Sequence, residues 1–389
     1  MTTISPRAAR TRLGAFYAAS FLVVGIQSPF WPVWLAGRGL DPPEIAALFA
    51  AAIWVKVVTT PLIGALADRL GRRRAMMVVL AGIACFGYAS LWRAHGFWSL
   101  LGLTLIAGVA QSALMPLGDS ITLAAVRRDG LDYGRVRVWG SVSFIIAAMA
   151  SGILLSRGEA SSLGGNRVLA LVLAASAVLW LVCLVIPAPP REAIGPARLS
   201  ALGTMARDRR FWGFVVAAAA IQASHQVYYG FGTLYWRSLG FSDAVIGCLW
   251  AEGVVAEIVL FWVGTRLLTR FGALGLMALG AGAGILRWGL AGLAPGLLPA
   301  AVLQLLHALT FGATHLGAMN FLSRTVPPGA SASAQALYSG TSSGIGSGVV
   351  MLGAGALYAN YGGHAYLFMA ALSAFGLACV ARLAKTAPR

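Results

Sequence analysis

Apolar residues run along this 389-residue chain in long blocks, broken only by short polar or basic connections. A block of about 20 apolar residues is the length that crosses a bilayer as a helix. The pattern predicts helices over 13–36, 44–67, 75–93, 97–124, 136–156, 167–187, 211–236, 243–266, 272–294, 298–322, 331–358 and 364–384. Start signals sharpen some boundaries. Asp41-Pro42-Pro43-Glu44 reads as an N-cap, prolines suited to a first turn, and an acidic partner three residues on. Ser242 plays the cap role before the block at 243.

Composition turns this pattern into a class. Hydrophobic residues make up 59% and charged residues 11%, against roughly 25% charged in a soluble domain. The expectation is an all-α integral membrane protein of about twelve spans. A net charge of +17 would fit a nucleic-acid binder, but the positions of the charges argue against one. Of the 29 Lys and Arg, 21 fall on the side that holds both termini, 5 on the other, and Lys56, Arg137 and Arg287 lie within predicted helices. Basic loops stay cytoplasmic, so both termini are expected there, in a cell (inner) membrane protein. Arg7, Arg10 and Arg12 precede an apolar stretch with no small-residue cleavage site, which reads as a first helix rather than a removed signal. Cys85, Cys183, Cys248 and Cys379 sit singly in apolar runs, so no metal, cofactor or disulfide framework is expected.

One connection carries more than topology. Gly64, Asp68, Arg69, Gly71 and Arg72, followed by Arg73 and Arg74, lie in a charged turn too short to hold a domain, which makes the flanking spans an antiparallel pair. Gly64 is expected to permit close helix contact, Asp68 to receive a helix N-terminus or an Arg, and Gly71 to make the turn. A Gly-x3-Asp-Arg-x-Gly-Arg-Arg turn after the second span resembles the corresponding loop of the major facilitator superfamily of secondary transporters. The resemblance implies a cytoplasmic gate there. Pro187–Arg210 is the longest connection and separates six predicted helices from six. Trp34-x4-Gly39 matches Tyr235-x4-Gly240, and Gly64 matches Gly264 before a second basic turn, at an offset of about half the chain. The second copy lacks the Asp-Arg pair. Domains are therefore expected at 1–186 and 211–389, two six-helix bundles joined by a 187–210 cytoplasmic linker, with the substrate near the midplane between repeats.

Ionisable residues inside the spans are the candidate chemistry, because each costs ~2.5–3.5 kcal/mol at a helix centre unless compensated. They are Lys56, Asp119, Arg137, His225, Glu252, Glu257, Arg287, His307 and His315. Arg137 lies a turn from a cytoplasmic loop, where snorkelling also accounts for it. Glu257 and Arg287 each lie about 21 Å into their helices, beyond easy reach of either interface. A structural ion pair accounts for them, and so does a switch in which Glu257 takes a proton when Arg287 turns to His307 or to substrate. His315 is expected about 80° round the helix from His307. The Gly340-Thr-Ser-Ser-Gly344-Ile-Gly346-Ser-Gly348 run favours helix packing over a phosphate loop. Trp31, Trp34, Tyr228, Tyr229, Phe231, Tyr235 and Trp250 suit either an aromatic cavity or an interfacial belt.

Arg135-Val-Arg137-x-Trp139-Gly140, Ala256-Glu257, Arg287-x-Gly289 and Leu306-His307 are similar to the lactose permease pattern of proton symporters. That resemblance implies substrate binding by Arg137 and Glu257 and a proton network containing Arg287 and His307; with the family's downstream Glu missing, Glu257 is the expected proton carrier. The family's proton-carrying Glu three residues after the His is here Thr310, and its helix 4 carboxylate is offset if Asp119 is the counterpart. Leu131-Asp-Tyr-Gly-Arg-Val-Arg137, Tyr228-Tyr-Gly-Phe231, Gly253-Val-Val-Ala-Glu257 and His315-Leu-x-Ala-Met319 further resemble the phenylpropionate permease branch. It implies proton-coupled uptake of a small aromatic carboxylate by a monomer. Lys56, Asp119, Arg137, His225, Tyr229, Trp250 and Glu257 are then the expected substrate contacts. A nucleoside or sugar symporter and a proton-antiport exporter are the alternatives. Enzyme chemistry is disfavoured, since no nucleophile–base arrangement and no His-Glu-x-x-His pattern is present.

Overall fold

The computed structural model describes residues 5–157, 166–187, 207–326 and 331–385. Among the described residues every regular element is helical. In hydrocarbon each backbone N–H and C=O needs a partner within its own segment, and a helix supplies it. The helices are α1 (Pro6–Gly37), α2 (Pro42–Leu70), α3 (Arg73–Ser90), α4 (Phe97–Asp129), α5 (Tyr133–Ser156), α6 (Arg167–Cys183), α7 (Arg209–Ala223), α8 (Gln226–Ser238), α9 (Asp243–Trp262), α10 (Gly264–Ala291), α11 (Leu297–Leu305), α12 (Thr314–Thr325), α13 (Ser331–Ser339), α14 (Ser347–Tyr361) and α15 (Ala365–Lys385). Among the described residues nine helical stretches are long and apolar enough to cross a membrane, and α6 is a shorter apolar helix. Most of the expected linker, 188–206, lies outside the described residues.

Three blocks expected as single helices are interrupted. The 211–236 block breaks at Ser224–His225. There the Ser224 hydroxyl donates to the Ile221 carbonyl at 2.7 Å, and His225 Nδ1 lies 3.2 Å from the carbonyls of both Ile221 and Gln222. Side chains thus take up carbonyls that a continuing helix would use. The other two interruptions are π-helical: Ala308–Ala313 joins α11 to α12, and the glycine-rich Gly340–Gly346 joins α13 to α14. The second basic turn also departs from expectation. Arg266 and Arg270 lie in the helical start of α10, and the chain bends only at Gly272, whose φ of 67° belongs to glycine.

The chain divides into two compact units. Unit one comprises Met1–Asp41, Trp54–Ile194 and Ser242–Ala251; unit two comprises Pro42–Ile53, Gly195–Phe241 and Glu252–Arg389. Within unit one, α1 packs along α5 and α6, and α3 packs on α4 and α6. Within unit two, α10 is flanked by α12, the Ala308–Ala313 π turn and α15, which also packs on α7. A core of Phe214, Met277, Phe321, Tyr338 and Val380 closes these helices together, with the rings of Phe214 and Phe321 stacked at 4.5 Å. Large apolar side chains such as Leu62, Phe86, Leu181, Trp262 and Leu298 face outward, as a surface in contact with lipid requires.

Candidate functional site

Unit two holds a polar chain buried among helices. Arg287 on α10 is 1% exposed. Its NH1 donates to His307 Nδ1 at 2.9 Å and to Thr310 Oγ1 at 3.0 Å, and its NH2 donates to Gln304 Oε1 at 2.6 Å. Its guanidinium carbon lies 4.9 Å from the Tyr228 ring centre and 4.4 Å from that of Trp288. Acceptors and ring faces thus surround a cation that hydrocarbon would reject. Glu257 on α9 meets the same network from the other side, its Oε1 2.8 Å from His307 Nε2.

The donors settle the histidine tautomers. A guanidinium only donates, so Nδ1 of His307 accepts and the ring proton sits on Nε2, donating to Glu257. His307 is therefore neutral while Arg287 holds it, and its two partners supply one positive and one negative charge. Thr310 passes the pattern on. It receives a hydrogen bond from Arg287 and lies 3.1 Å from Nε2 of His225. With His225 Nδ1 committed to backbone carbonyls, that hydroxyl donates to Nε2. Gln304 extends the chain in another direction, donating to the Tyr228 hydroxyl at 3.0 Å.

One expectation changes here. Glu257 and Arg287 are joined through His307 rather than as a direct pair. The rings of His307 and Phe311 stack at 5.6 Å, and those of Phe311 and His315 at 6.0 Å, the four-residue spacing that makes helix neighbours.

Unit one holds the second cluster. Asp119 on α4 accepts from the Tyr17 hydroxyl at 2.6 Å and the Tyr133 hydroxyl at 3.0 Å, both on Oδ1. Arg137, one turn along α5 from Tyr133, lays its guanidinium over Phe21 at 4.3 Å and Tyr17 at 5.2 Å. Among the described residues neither Arg137 nor half-buried Lys56 on α2 has a hydrogen-bond or ion-pair partner. Gly118 lets Phe16 lie against α4: a methyl group there would come within 2.1 Å of Phe16 Cε1.

Residues 10–370 match the family described as "MFS_1 like family". The chain belongs to the major facilitator superfamily. It is 32% identical over 362 residues to the Escherichia coli K12 protein named "Probable 3-phenylpropionic acid transporter", covering 92% of this chain and 93% of that one. It is 26% identical over 383 residues to the maltose permease of Geobacillus stearothermophilus, covering 97% and 95%. The crystal structure of the nucleoside transporter NupG superposes with a TM-score of 0.86 at 18% identity, covering 97% of this chain and 100% of that one. This major facilitator is a multi-pass membrane protein and a transporter by family.

Of the remaining expected site residues of this major facilitator, His225 and Tyr229 lie in unit two and Trp250 in unit one. His225 is fully buried, packed between Tyr229 and Trp288. Tyr229 is half-buried beside Tyr228. Trp250 is buried and belongs to unit one. Trp34 and Phe231 are packed out of reach, Trp34 on Trp31 and Phe231 on Tyr358. In the charged turn, Asp68 Oδ1 receives Arg73 Nε at 2.9 Å, and Gly71 turns the chain with φ 60°. Arg69 closes α2 and Arg72 precedes α3. Gly64 departs from its expected close packing: an added methyl group meets no atom within 4 Å. Gln304, Tyr17 and Tyr133 escaped sequence reading. Tyr133 sits four residues before Arg137, a spacing that shares a helix face. Gln304 lies three before His307, which carries the same signal. Tyr17 has no local signal at all.

Proposed function

We propose that this protein takes up a small aromatic carboxylate together with protons, by alternating access. The observation that carries this reading is Arg137: a half-buried guanidinium resting on two aromatic rings, with no carboxylate partner among the described residues. An aryl carboxylate offers what that site is missing, an anion for a planar fork and an apolar body for the rings. Lys56 is the second cation, and Tyr229, Trp250, His225 and Glu257 complete the proposed substrate contacts. The relative named for 3-phenylpropionic acid points the same way.

Glu257 is the proposed proton carrier, with Arg287 and His307 as its partners. While Glu257 is ionised, its charge reaches Arg287 through His307. A proton on Glu257 leaves Arg287 as an uncompensated buried cation, which favours a rearrangement that brings a new anion or releases the guanidinium. Substrate and proton then bias one equilibrium, as coupling requires. The proposal includes twelve spans. They are reached by counting α7 with α8 as one, the short α6, and two in the 52-residue Ala334–Lys385 stretch. It also includes 1–186 and 211–389 as six-helix bundles, cytoplasmic termini in the inner membrane, a monomer, and Gly64, Asp68, Arg69, Gly71 and Arg72 as the cytoplasmic gate.

The test is uptake of a radiolabelled panel of aromatic acids, sugars and nucleosides into energised vesicles. Aromatic acids are expected to accumulate, and Arg137→Ala to lower their uptake about tenfold or more, the loss of a charge-assisted contact. Accumulation of sugars or nucleosides with no acid uptake overturns the reading, as does acid uptake indifferent to Arg137→Ala.

A further inference from the structure

We infer that Tyr17 and Tyr133 are positioning residues that occupy Asp119, so that Arg137 stays available to an anionic substrate. The inference rests on the proposed role of Arg137 and adds what keeps its N–H groups open. Asp119 and Arg137 contact the same side chain, Tyr17, one at its hydroxyl and the other over its ring. A carboxylate and a guanidinium held this close in a membrane span attract strongly, because the surroundings screen poorly. Yet they are not paired.

The phenols explain why. Both donate to one oxygen of Asp119, giving it two charge-assisted hydrogen bonds in place of the arginine. Tyr17 is fully buried and cannot exchange this acceptor for water. It also lies 3.2 Å from Thr122, but the Thr122 hydroxyl is spent on the Gly118 carbonyl at 2.9 Å, and the shorter contact of the single phenol proton is to the carboxylate. The carboxylates nearest Arg137 in sequence are committed as well: Asp129 accepts from Arg128 on both oxygens, and Asp132 is held locally. It caps α5 by accepting from Arg135 N at 3.1 Å and lies 3.5 Å from Arg135 Nε. Arg137 is left with ring faces, which a cation accepts and readily gives up for an anion.

The sequence arranges this economically. Tyr17 and Phe21 are one turn apart on α1, and Tyr133 and Arg137 are one turn apart on α5, so each pair shares a face. Tyr17 serves both charges, its hydroxyl for Asp119 and its ring for Arg137. With Asp119 paired to it, the Arg137 fork would be spent within the protein. With Asp119 held by the phenols, its charge remains but the Arg137 N–H groups stay open to an anion whose apolar body suits the rings.

The experiment uses the full chain in proteoliposomes with radiolabelled 3-phenylpropionate in counterflow, comparing parent, Tyr17→Phe/Tyr133→Phe, and the same pair with Asp119→Asn. The phenol-less pair releases Asp119 onto Arg137, and KM rises about tenfold or more, the scale of one charge-assisted contact. Adding Asp119→Asn brings KM back toward the parent. A second readout needs no substrate: phenylglyoxal labelling of Arg137, mapped by peptide mass, slows in the phenol-less pair and recovers with Asp119→Asn. Unchanged KM and labelling in the phenol-less pair overturn the inference, and so does an effect that Asp119→Asn fails to reverse. If the parent takes up no acid while labelling follows the expected order, the substrate reading fails and the phenol arrangement stands.

Discussion

Glu257→Gln isolates the proton from the fold. The amide carbonyl of Gln still accepts from His307 Nε2, so the contact seen at 2.8 Å survives as a neutral hydrogen bond. What is lost is the charge assistance, about 1 kcal/mol, together with the anion that compensates buried Arg287, a loss that for a broken buried pair reaches ~3–5 kcal/mol. Arg287 keeps its three acceptors and two ring faces, so the variant is expected to fold and insert. Coupling is a different matter. One proton moving down a gradient of one pH unit supplies ~1.4 kcal/mol, or about tenfold accumulation. A monoanion carried with one proton is electroneutral, so a membrane potential adds nothing. The parent should therefore reach about tenfold per pH unit in acid-pulsed proteoliposomes, insensitive to valinomycin-imposed potential, whereas Glu257→Gln should stop at equal concentrations inside and out. Exchange of labelled for unlabelled substrate should continue in the variant, because it needs no net proton movement. Uphill, proton-driven uptake by Glu257→Gln would falsify the assignment and move the carrier to Asp119, Glu252 or a histidine. A potential-driven parent would refute the single-proton count.

Two further perturbations separate gate from packing. Asp68→Asn removes an exposed ion pair with Arg73, worth at most ~1 kcal/mol; thermal stability should hardly change while transport rate falls, and parental rates at parental expression would remove the turn from the gate. Gly118→Ala places a methyl group against the buried ring of Phe16; overpacking should cost ~1–3 kcal/mol and lower the melting temperature in scanning fluorimetry, and an unchanged melting temperature would show that the ring yields freely.

The membrane class and the superfamily were legible in one dimension. Transfer into hydrocarbon depends on the composition of a block of residues, not on its neighbours in space, so long apolar runs announce spans wherever they pack. The same logic singled out Asp119, Arg137, Glu257, Arg287 and His307, since any charge inside a span demands compensation. Which group compensates which was not legible. A partner depends on the rotation of one helix against another, and that is decided by packing across the fold. Tyr17 reaches Asp119 across 102 residues of sequence, and no pattern along the chain marks it. Helix irregularities hid in the same way. Nothing in the apolar block at 298–322 announced the π turn over Ala308–Ala313. The charged residues were set by the sequence, but His307 became the link between Glu257 and Arg287 only where α9, α10 and the turn after α11 converge, each supplying one polar group that hydrocarbon would not accept alone.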